Sequence, residues 1–316
     1  MATPAKRLRP LARRLPPRIG QGARAWLGRR ALEVATHCTG REYAALEHPG
    51  ETVLHLDYAP SARNVARFSP HPELARIIGE RHDAYAAALE TIRGYGERFT
   101  SIAVSASDPR DPQWLNGWQP GLDSGALYAF VSARAPRLYI EIGSGVSTKF
   151  ARRAIEDGGL STRIVSIDPG PHTEVDELCD SLVRSRLEEA ELSVFEELAA
   201  GDVVFFDGSH RVFMNSDVTV FFLEVLPRLP PGVLVAIHDV YLPHDYQPWV
   251  AERYWSEQYL LAAYLLAGNS HFETILPAWY VWTTERFRPL IDAIWEHPDL
   301  ARVERHGAAY WLETRA

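Results

Sequence analysis

The rhythm of hydrophobic positions changes near residue 127. Beyond it, short apolar runs at 138–143, 163–168, 202–207 and 232–239 alternate with amphipathic runs. Each apolar run is rich in Val, Ile and Phe and nearly unbroken, the pattern of strands buried on both faces of a parallel sheet. The runs at 147–157, 173–182 and 213–226 predict helices. A longer helix is predicted over 248–267, with Trp255, Tyr259, Ala262 and Leu266 on one face. This alternation predicts an α/β sheet with helices on both faces. The chain closes differently, with strands at 274–283 and 308–314 around a helix at 289–296. Before residue 127 the chain is irregular and proline-rich, and its clear helical run is 72–92, where Leu74, Ile77, Ile78, Tyr85 and Leu89 recur at helical spacing. No internal repeat is present.

Length and composition narrow the class. The 316 residues allow one large domain or two modest ones, and 46% hydrophobic residues supply a core without disulfides or a structural metal. The formal charge of −8 hides an asymmetry. Residues 1–32 hold nine basic residues and no acid, so the remainder carries −17. An acidic body argues against a nucleic-acid partner, because phosphate contacts demand a basic surface. The basic head has no apolar run of the secretory type. It reads as a solvated extension, or as a segment that contacts an acidic surface or anionic lipid. Cys38 and Cys179 match no metal spacing and fit a reducing, cytoplasmic setting. The dominance of Arg over the two lysines, Lys6 and Lys149, fits a GC-rich bacterial genome. The longest stretch free of Asp, Glu, Lys and Arg, 258–272, is too short and polar to span a bilayer.

In an open α/β sheet, ligands bind beyond the carboxyl ends of the strands. The first run ends in Glu141, Gly143, Ser144, Gly145, Ser147 and Thr148. Gly143 and Gly145 permit a tight turn and close ligand approach, Ser147 suits a helix N-cap, and the free N–H groups there favour an anionic or polar ligand group. A plain strand-to-helix turn is the alternative. A full dinucleotide fingerprint would place a third glycine where Thr148 stands, which disfavours a nicotinamide cofactor. Asp168, followed by Pro169, ends the second run. It suits the two hydroxyls of a ribose, or is a solvated turn residue. The run at 202–207 leads into Asp207, Gly208, Ser209 and His210, and the run at 232–239 ends in His238 and Asp239. Each of these acids and histidines reads as a metal ligand, a base or a structural polar group. Asp207 and Asp239 offer hard oxygens suited to Mg²⁺. A neutral His210 or His238 could take a proton from a substrate hydroxyl.

Taken together and in order, the motifs at 141–148, 167–169, 205–210, 237–243 and 255–261 give a resemblance. From about Trp114 to Leu312 the chain resembles class I S-adenosylmethionine-dependent methyltransferases, nearest the small-molecule, O-methyltransferase-like branch. The resemblance implies a Rossmann-like seven-stranded sheet, order 3-2-1-4-5-7-6 with the last strand antiparallel, behind an N-terminal, mostly helical cap. It divides the chain into a basic head (1–32), a cap (33–125) and an S-adenosylmethionine-binding domain (126–316). It implies that the loop from Glu141 to Thr148 holds the methionine end of S-adenosyl-L-methionine. Asp168 and Pro169 would take the ribose, and Asp207, Gly208 and Ser209 would complete the cofactor site. Glu188 and Glu189 are the acids nearest an adenine position. Related members bind Mg²⁺ through acids that correspond to Asp207 and Asp239, and use a histidine corresponding to His210 as base. Here His238 is the second choice and Asp239 orients the base. The implied reaction is methyl transfer to a hydroxyl oxygen of a small molecule, a sugar or a secondary metabolite, leaving S-adenosyl-L-homocysteine.

Two other functions fit less of the pattern: a catalytically silent S-adenosylmethionine-binding module and an NAD-dependent oxidoreductase. A lid from 110–125 and 241–255 carries Trp114, Trp118, Tyr241, Tyr246, Trp249, Tyr254 and Trp255, which either stack on a ligand or pack as ordinary core. These aromatics are also compatible with a homodimer. Lys149, the only lysine outside the head, faces either the cofactor carboxylate or solvent.

Overall fold

The sheet forms where the sequence is most continuously apolar. In the computed structural model, which describes Tyr58 and residues 69–316, seven strands run β1 (Leu138–Ile142), β2 (Arg163–Ile167), β3 (Ser181–Val183), β4 (Val203–Phe206), β5 (Leu234–Ile237), β6 (Phe272–Pro277) and β7 (Tyr310–Thr314). Their order is β3-β2-β1-β4-β5-β7-β6. The first five strands pair in parallel, and β7 runs antiparallel between β5 and β6. Every residue of β1, β4 and β5 is buried, because helices cover both faces. Residues 69–316 belong to one compact unit. The basic head with its acidic-surface contact, the first part of the cap, and Cys38 lie outside the described residues.

The rest of the pattern is partly as expected. The helix predicted over 147–157 is found as Val146–Gly158. The helix predicted over 72–92 breaks into Pro72–Gly79 and His82–Arg93. At 173–182 the expected helix is instead a single turn, Asp176–Leu178, running into β3, which β2 recruits as an edge strand. The strand expected over 274–283 stops at Pro277, and Ala278–Thr283 coils into a helix; an apolar run of that length does not by itself discriminate between the two. The helix expected over 213–226 begins only at Asp217, where Ser216 caps it by accepting the Thr219 N–H. It then widens into a π turn at Phe221–Val225.

The long helix expected over 248–267 is interrupted. It splits into Pro248–Ala251 and Glu257–Leu266, with Tyr254 between them at φ +57°. The buried face of the second piece is Glu257, Gln258, Leu261, Ala262 and Leu265, whereas Tyr259 and Leu266 are exposed. Two polar side chains, Glu257 and Gln258, thus go inward with Leu261, Ala262 and Leu265.

A helix the hydrophobic rhythm does not reveal, Gly121–Arg134, is buried along its first eleven residues and packs beside Val146–Gly158. It runs across the boundary expected at residue 125. Its apolar residues point in all directions, so it has no amphipathic stripe to read. Phe99, Trp114 and Trp295 form an aromatic cluster beside it: Phe99 stacks on Trp295 at 5.7 Å, and Trp114 meets Trp295 edge-on at 5.3 Å. Among the described residues no helix is long and apolar enough to cross a membrane.

Candidate active site

Four sequence-predicted residues stand one step beyond parallel strands, and backbone bonds to the neighbouring strand fix them there. Gly143 N–H donates to Ile167 O, Asp168 N–H to Val183 O, Asp207 N–H to Ile142 O, and His238 N–H to Phe206 O, all at 2.9–3.1 Å. They therefore line the carboxyl edge of the sheet, where ligands of such sheets bind.

The glycine turn is braced from behind. Gly143 adopts φ +79°, and a Cβ there would come within 1.9 Å of the Asp207 carbonyl oxygen, so only glycine fits. Glu141 is fully buried and points into the fold: the Tyr139 hydroxyl donates to one carboxylate oxygen at 2.9 Å and the Thr148 hydroxyl to the other. Thr148 in turn accepts the Gly145 N–H at 3.0 Å. Burial pushes the Glu141 carboxyl up to about 7, against the hydroxyls of Ser147, Thr148 and Tyr139. The Ser147 side chain makes no N-cap bond; Gly145 stands at the cap position, with Thr148 closing the turn. Asp168 accepts from Ser144 N–H at 2.8 Å and from Gly170 N–H at 2.7 Å, so it ties the glycine turn to the loop after β2. Ser144 Oγ lies 2.7 Å from Ser166 Oγ.

A second group gathers at the ends of β4 and β5. His210 Nδ1 lies 2.6 Å from Oε1 of Glu257, a fully buried carboxylate, so Nδ1 carries the proton and Nε2 faces the edge. Nε2 is 3.3 Å from Asp207 and 3.7 Å from Asp239. Burial alone would lower the His210 pKa, but Glu257, then Asp207 and Asp239, outweigh it and push it up to about 9. The surrounding carboxylates therefore favour the imidazolium over the neutral ring that the unperturbed pKa of His210 suggests. His238 is 2% exposed, beneath Asp207 and Asp239. Its Nδ1 is 3.5 Å from Asp207 and 3.4 Å from Asp239, and its Nε2 is 3.3 Å from Asp123. Burial opposes its charge too, yet Asp239, Asp207 and Asp123 hold its pKa well above the ordinary value. His238 thus lies below the open edge, behind Asp207 and Asp239.

Asp123 and Glu257 lie on helices rather than at strand ends, so the strand pattern singles out neither. Asp123 is fully buried on the helix Gly121–Arg134 and accepts the N–H groups of Ala308 and Ala309 at 2.7 and 2.9 Å. The signal available for both was an acid within an otherwise apolar stretch. Gln258 is a structural anchor: its Oε1 accepts the Tyr241 N–H at 2.8 Å. Four carboxylates, Asp123, Asp207, Asp239 and Glu257, surround two imidazoles, so the group stays negative when both rings are protonated and favours a cation nearby. His210 and Asp239 both take left-handed backbone conformations, φ +61° and +58°. Such conformations cost about 1–3 kcal/mol each and cluster at functional sites.

Asp207, His238 and Asp239 also meet the spacing of a metal site, since one ligand atom from each lies within 4.8 Å of the others. The two ring nitrogens of His238 make no hydrogen bond of good geometry, and Asp123 stands behind Nε2 as carboxylates stand behind metal-binding histidines. The residues therefore fit a divalent cation. The imidazole in the set suits Mn²⁺, Fe²⁺ or Zn²⁺ better than Mg²⁺, which prefers oxygen and water.

The predicted lid divides in two. Trp114, Tyr241 and Tyr246 are core residues, whereas Trp118 and Trp249 are 65% and 54% exposed, and Tyr254 is exposed as well. Trp255 lies over His210, ring centroids 4.1 Å apart. The Arg253 guanidinium sits 5.2 Å from the Trp255 ring and 5.6 Å from the Trp249 ring. Glu188 lies on a turn, Leu187–Glu189, after β3, with one carboxylate oxygen buried and unbonded.

Comparison with known proteins fits this geometry. Residues 140–240 match a family model described as a methyltransferase domain, Methyltransf_24. No curated protein matches the sequence. Similar solved structures include an O-methyltransferase from Bacillus cereus in complex with SAH, 14% identical, covering 78% of this chain and 96% of that one, TM-score 0.36. The SAH-bound methyltransferase PaMTH1 from Podospora anserina is 16% identical, with 71% and 93% coverage and a TM-score of 0.34. The plantazolicin methyltransferase BpumL in complex with SAH is 13% identical, with 76% and 100% coverage and a TM-score of 0.37. Likeness at that level carries no argument by itself. Residues 140–240, which match the methyltransferase-domain model, lie in a sheet with the strand order 3-2-1-4-5-7-6 that the resemblance implies.

Proposed function

We propose that the protein transfers the methyl group of S-adenosyl-L-methionine to a hydroxyl oxygen of a small molecule, with His210 as the base. The observation that carries the reading is the buried Glu257–His210 pair, which turns Nε2 toward the edge where Asp207 and the glycine turn meet. A sulfonium is already a strong methyl donor. The protein has only to align acceptor and donor and to remove one proton. Glu257 fixes the tautomer of His210 and raises its affinity for that proton. A bound sulfonium, a positive charge, pulls the His210 pKa back toward neutrality and frees Nε2 to accept. Asp168, with Pro169, takes the ribose; Gly143, Ser144, Gly145 and Ser147 surround the methionine end; Asp207, Gly208 and Ser209 close the site at β4. Glu141 and Thr148 hold the turn in place from inside. The shelf of Trp255, Arg253 and Trp249 beside His210 suits the flat face of a ring or sugar.

The test is formation of S-adenosyl-L-homocysteine over a panel of hydroxylated sugars and phenols. His210→Gln keeps cofactor binding and loses turnover on any acceptor the wild type methylates; equal turnover by both proteins contradicts the assignment.

A second reading adds a metal. Asp207, His238 and Asp239 would hold a divalent cation, which supplies Lewis acidity to lower the pKa of a bound hydroxyl. The three ligand atoms within 4.8 Å favour it. Activity that survives exhaustive chelation removes the metal from the account. A silent binding module does not explain the buried base pair, and a nicotinamide enzyme does not explain Thr148, whose hydroxyl is committed to Glu141.

A further inference from the structure

Two guanidiniums stand beside His210 without a counterion. Most described arginines meet a carboxylate, as Arg110, Arg152 and Arg305 do. Arg211 and Arg253 do not: among the described residues neither makes an ion pair. Arg211 Nε–H donates to the Arg253 carbonyl at 3.1 Å, and its Nη1 to the Ser209 carbonyl at 3.1 Å. A guanidinium has five N–H donors, so three remain on Arg211. The Arg253 guanidinium makes no hydrogen bond to the described residues and rests on the rings of Trp249 and Trp255.

The backbone ties both arginines to the base. Ser256 N–H donates to the His210 carbonyl at 2.7 Å, and Val212 N–H to Ser256 Oγ at 2.9 Å. The segment after β4 and the segment before Glu257–Leu266 are thus stitched together. Trp255 touches both charges: the His210 ring centroid lies 4.1 Å from its own, and the Arg253 guanidinium 5.2 Å away. The spacing is within reach of one small ring that carries an acidic substituent.

The charges are sorted by place. Asp207, Asp239 and Glu257 surround His210 and repel an anion, whereas the arginines beside them attract one. An acceptor with one acidic group therefore has a preferred direction. Its acid lies against the guanidiniums, its ring on the tryptophans, and its hydroxyl toward His210 Nε2.

We infer that the methyl acceptor carries an anionic group, a carboxylate or a phosphate, and that Arg253, with Arg211, binds it and selects for it. The inference rests on the methyl-transfer reading above and narrows its acceptor class.

The test is calorimetric titration of the full chain, loaded with S-adenosyl-L-homocysteine, with two pairs of probes. One pair is 4-hydroxybenzoate and 4-hydroxybenzamide; the other is glucose 6-phosphate and glucose. Wild type binds the anionic member of at least one pair about 10-fold or more tightly than the neutral one, and the pair that responds tells carboxylate from phosphate. Arg253 is exposed, so its replacement spares the core. Arg253→Gln weakens the anionic probe by about 10- to 100-fold and leaves the neutral probe, S-adenosyl-L-homocysteine affinity and melting temperature unchanged. Arg253→Lys, which keeps the charge without the fork, loses less. Arg211→Gln weakens the same probe. On any acceptor the wild type methylates, Arg253→Gln raises KM and leaves kcat. No preference within either pair, or a preference that Arg253→Gln and Arg211→Gln both keep, overturns the inference while methyl transfer stands. If wild type does not bind S-adenosyl-L-homocysteine, the methyl-transfer reading fails and the inference with it.

Discussion

Glu257 and His210 stand 47 positions apart in the chain, yet their side chains meet at 2.6 Å in the core. The carboxylate comes from the helix Glu257–Leu266 and the imidazole from the loop after β4. The contact converts a loop histidine into an oriented base. Glu257→Gln keeps the shape and removes the charge. It is expected to lower turnover by about 10²-fold or more, with S-adenosyl-L-homocysteine affinity unchanged in the same preparation. Turnover equal to wild type would separate Glu257 from the chemistry.

Glu141 gives a pH test. Its folded-state pKa is raised to about 7 from an ordinary 4.5. The folded protein thus holds the proton more tightly than the unfolded chain. The stability this contributes is present below pH 4.5 and is lost as pH rises toward 7. Glu141→Gln removes the titration. The melting temperature of the variant should gain on that of wild type between pH 5 and pH 8, whichever protein is the more stable at the start. A gap that stays constant with pH contradicts the raised pKa.

Gly143→Ala places a methyl 1.9 Å from a backbone oxygen at φ +79°. Neither atom can swing away as a side-chain tip would. The expected loss is about 3 kcal/mol or more, read as a lower urea midpoint at unchanged slope. A near-neutral effect would show that the turn can open.

Asp123 ties two distant parts of the chain together. Asp123→Ala strands the N–H groups of Ala308 and Ala309 and leaves His238 without its Nε2 partner. The expected cost is about 3–5 kcal/mol. Asp123→Asn keeps one acceptor for the amides and should cost less. Equal costs would mean that the charge facing His238, not the amides, is what Asp123 serves.

The sheet was legible because β1, β2, β4 and β5 are nearly unbroken apolar runs, and the ends of β2, β4 and β5 announce Asp168, Asp207, His238 and Asp239. The site was legible only along those ends. Glu257 and Asp123 reach it from helices whose place beside the strands is a tertiary fact, and the even hydrophobicity of Gly121–Arg134 gives no face to read. β3 has three residues and exists because β2 offers it an edge. The roles also depended on surroundings: His210 reads as neutral in isolation and as an imidazolium among three carboxylates.

The most direct test is calorimetric titration of wild type and Asp168→Ala with S-adenosyl-L-homocysteine and with NAD⁺. The account predicts one-to-one heat with S-adenosyl-L-homocysteine on wild type, a large loss of affinity in Asp168→Ala, and no heat with NAD⁺. No binding of S-adenosyl-L-homocysteine, or tight binding of NAD⁺ alone, would contradict it.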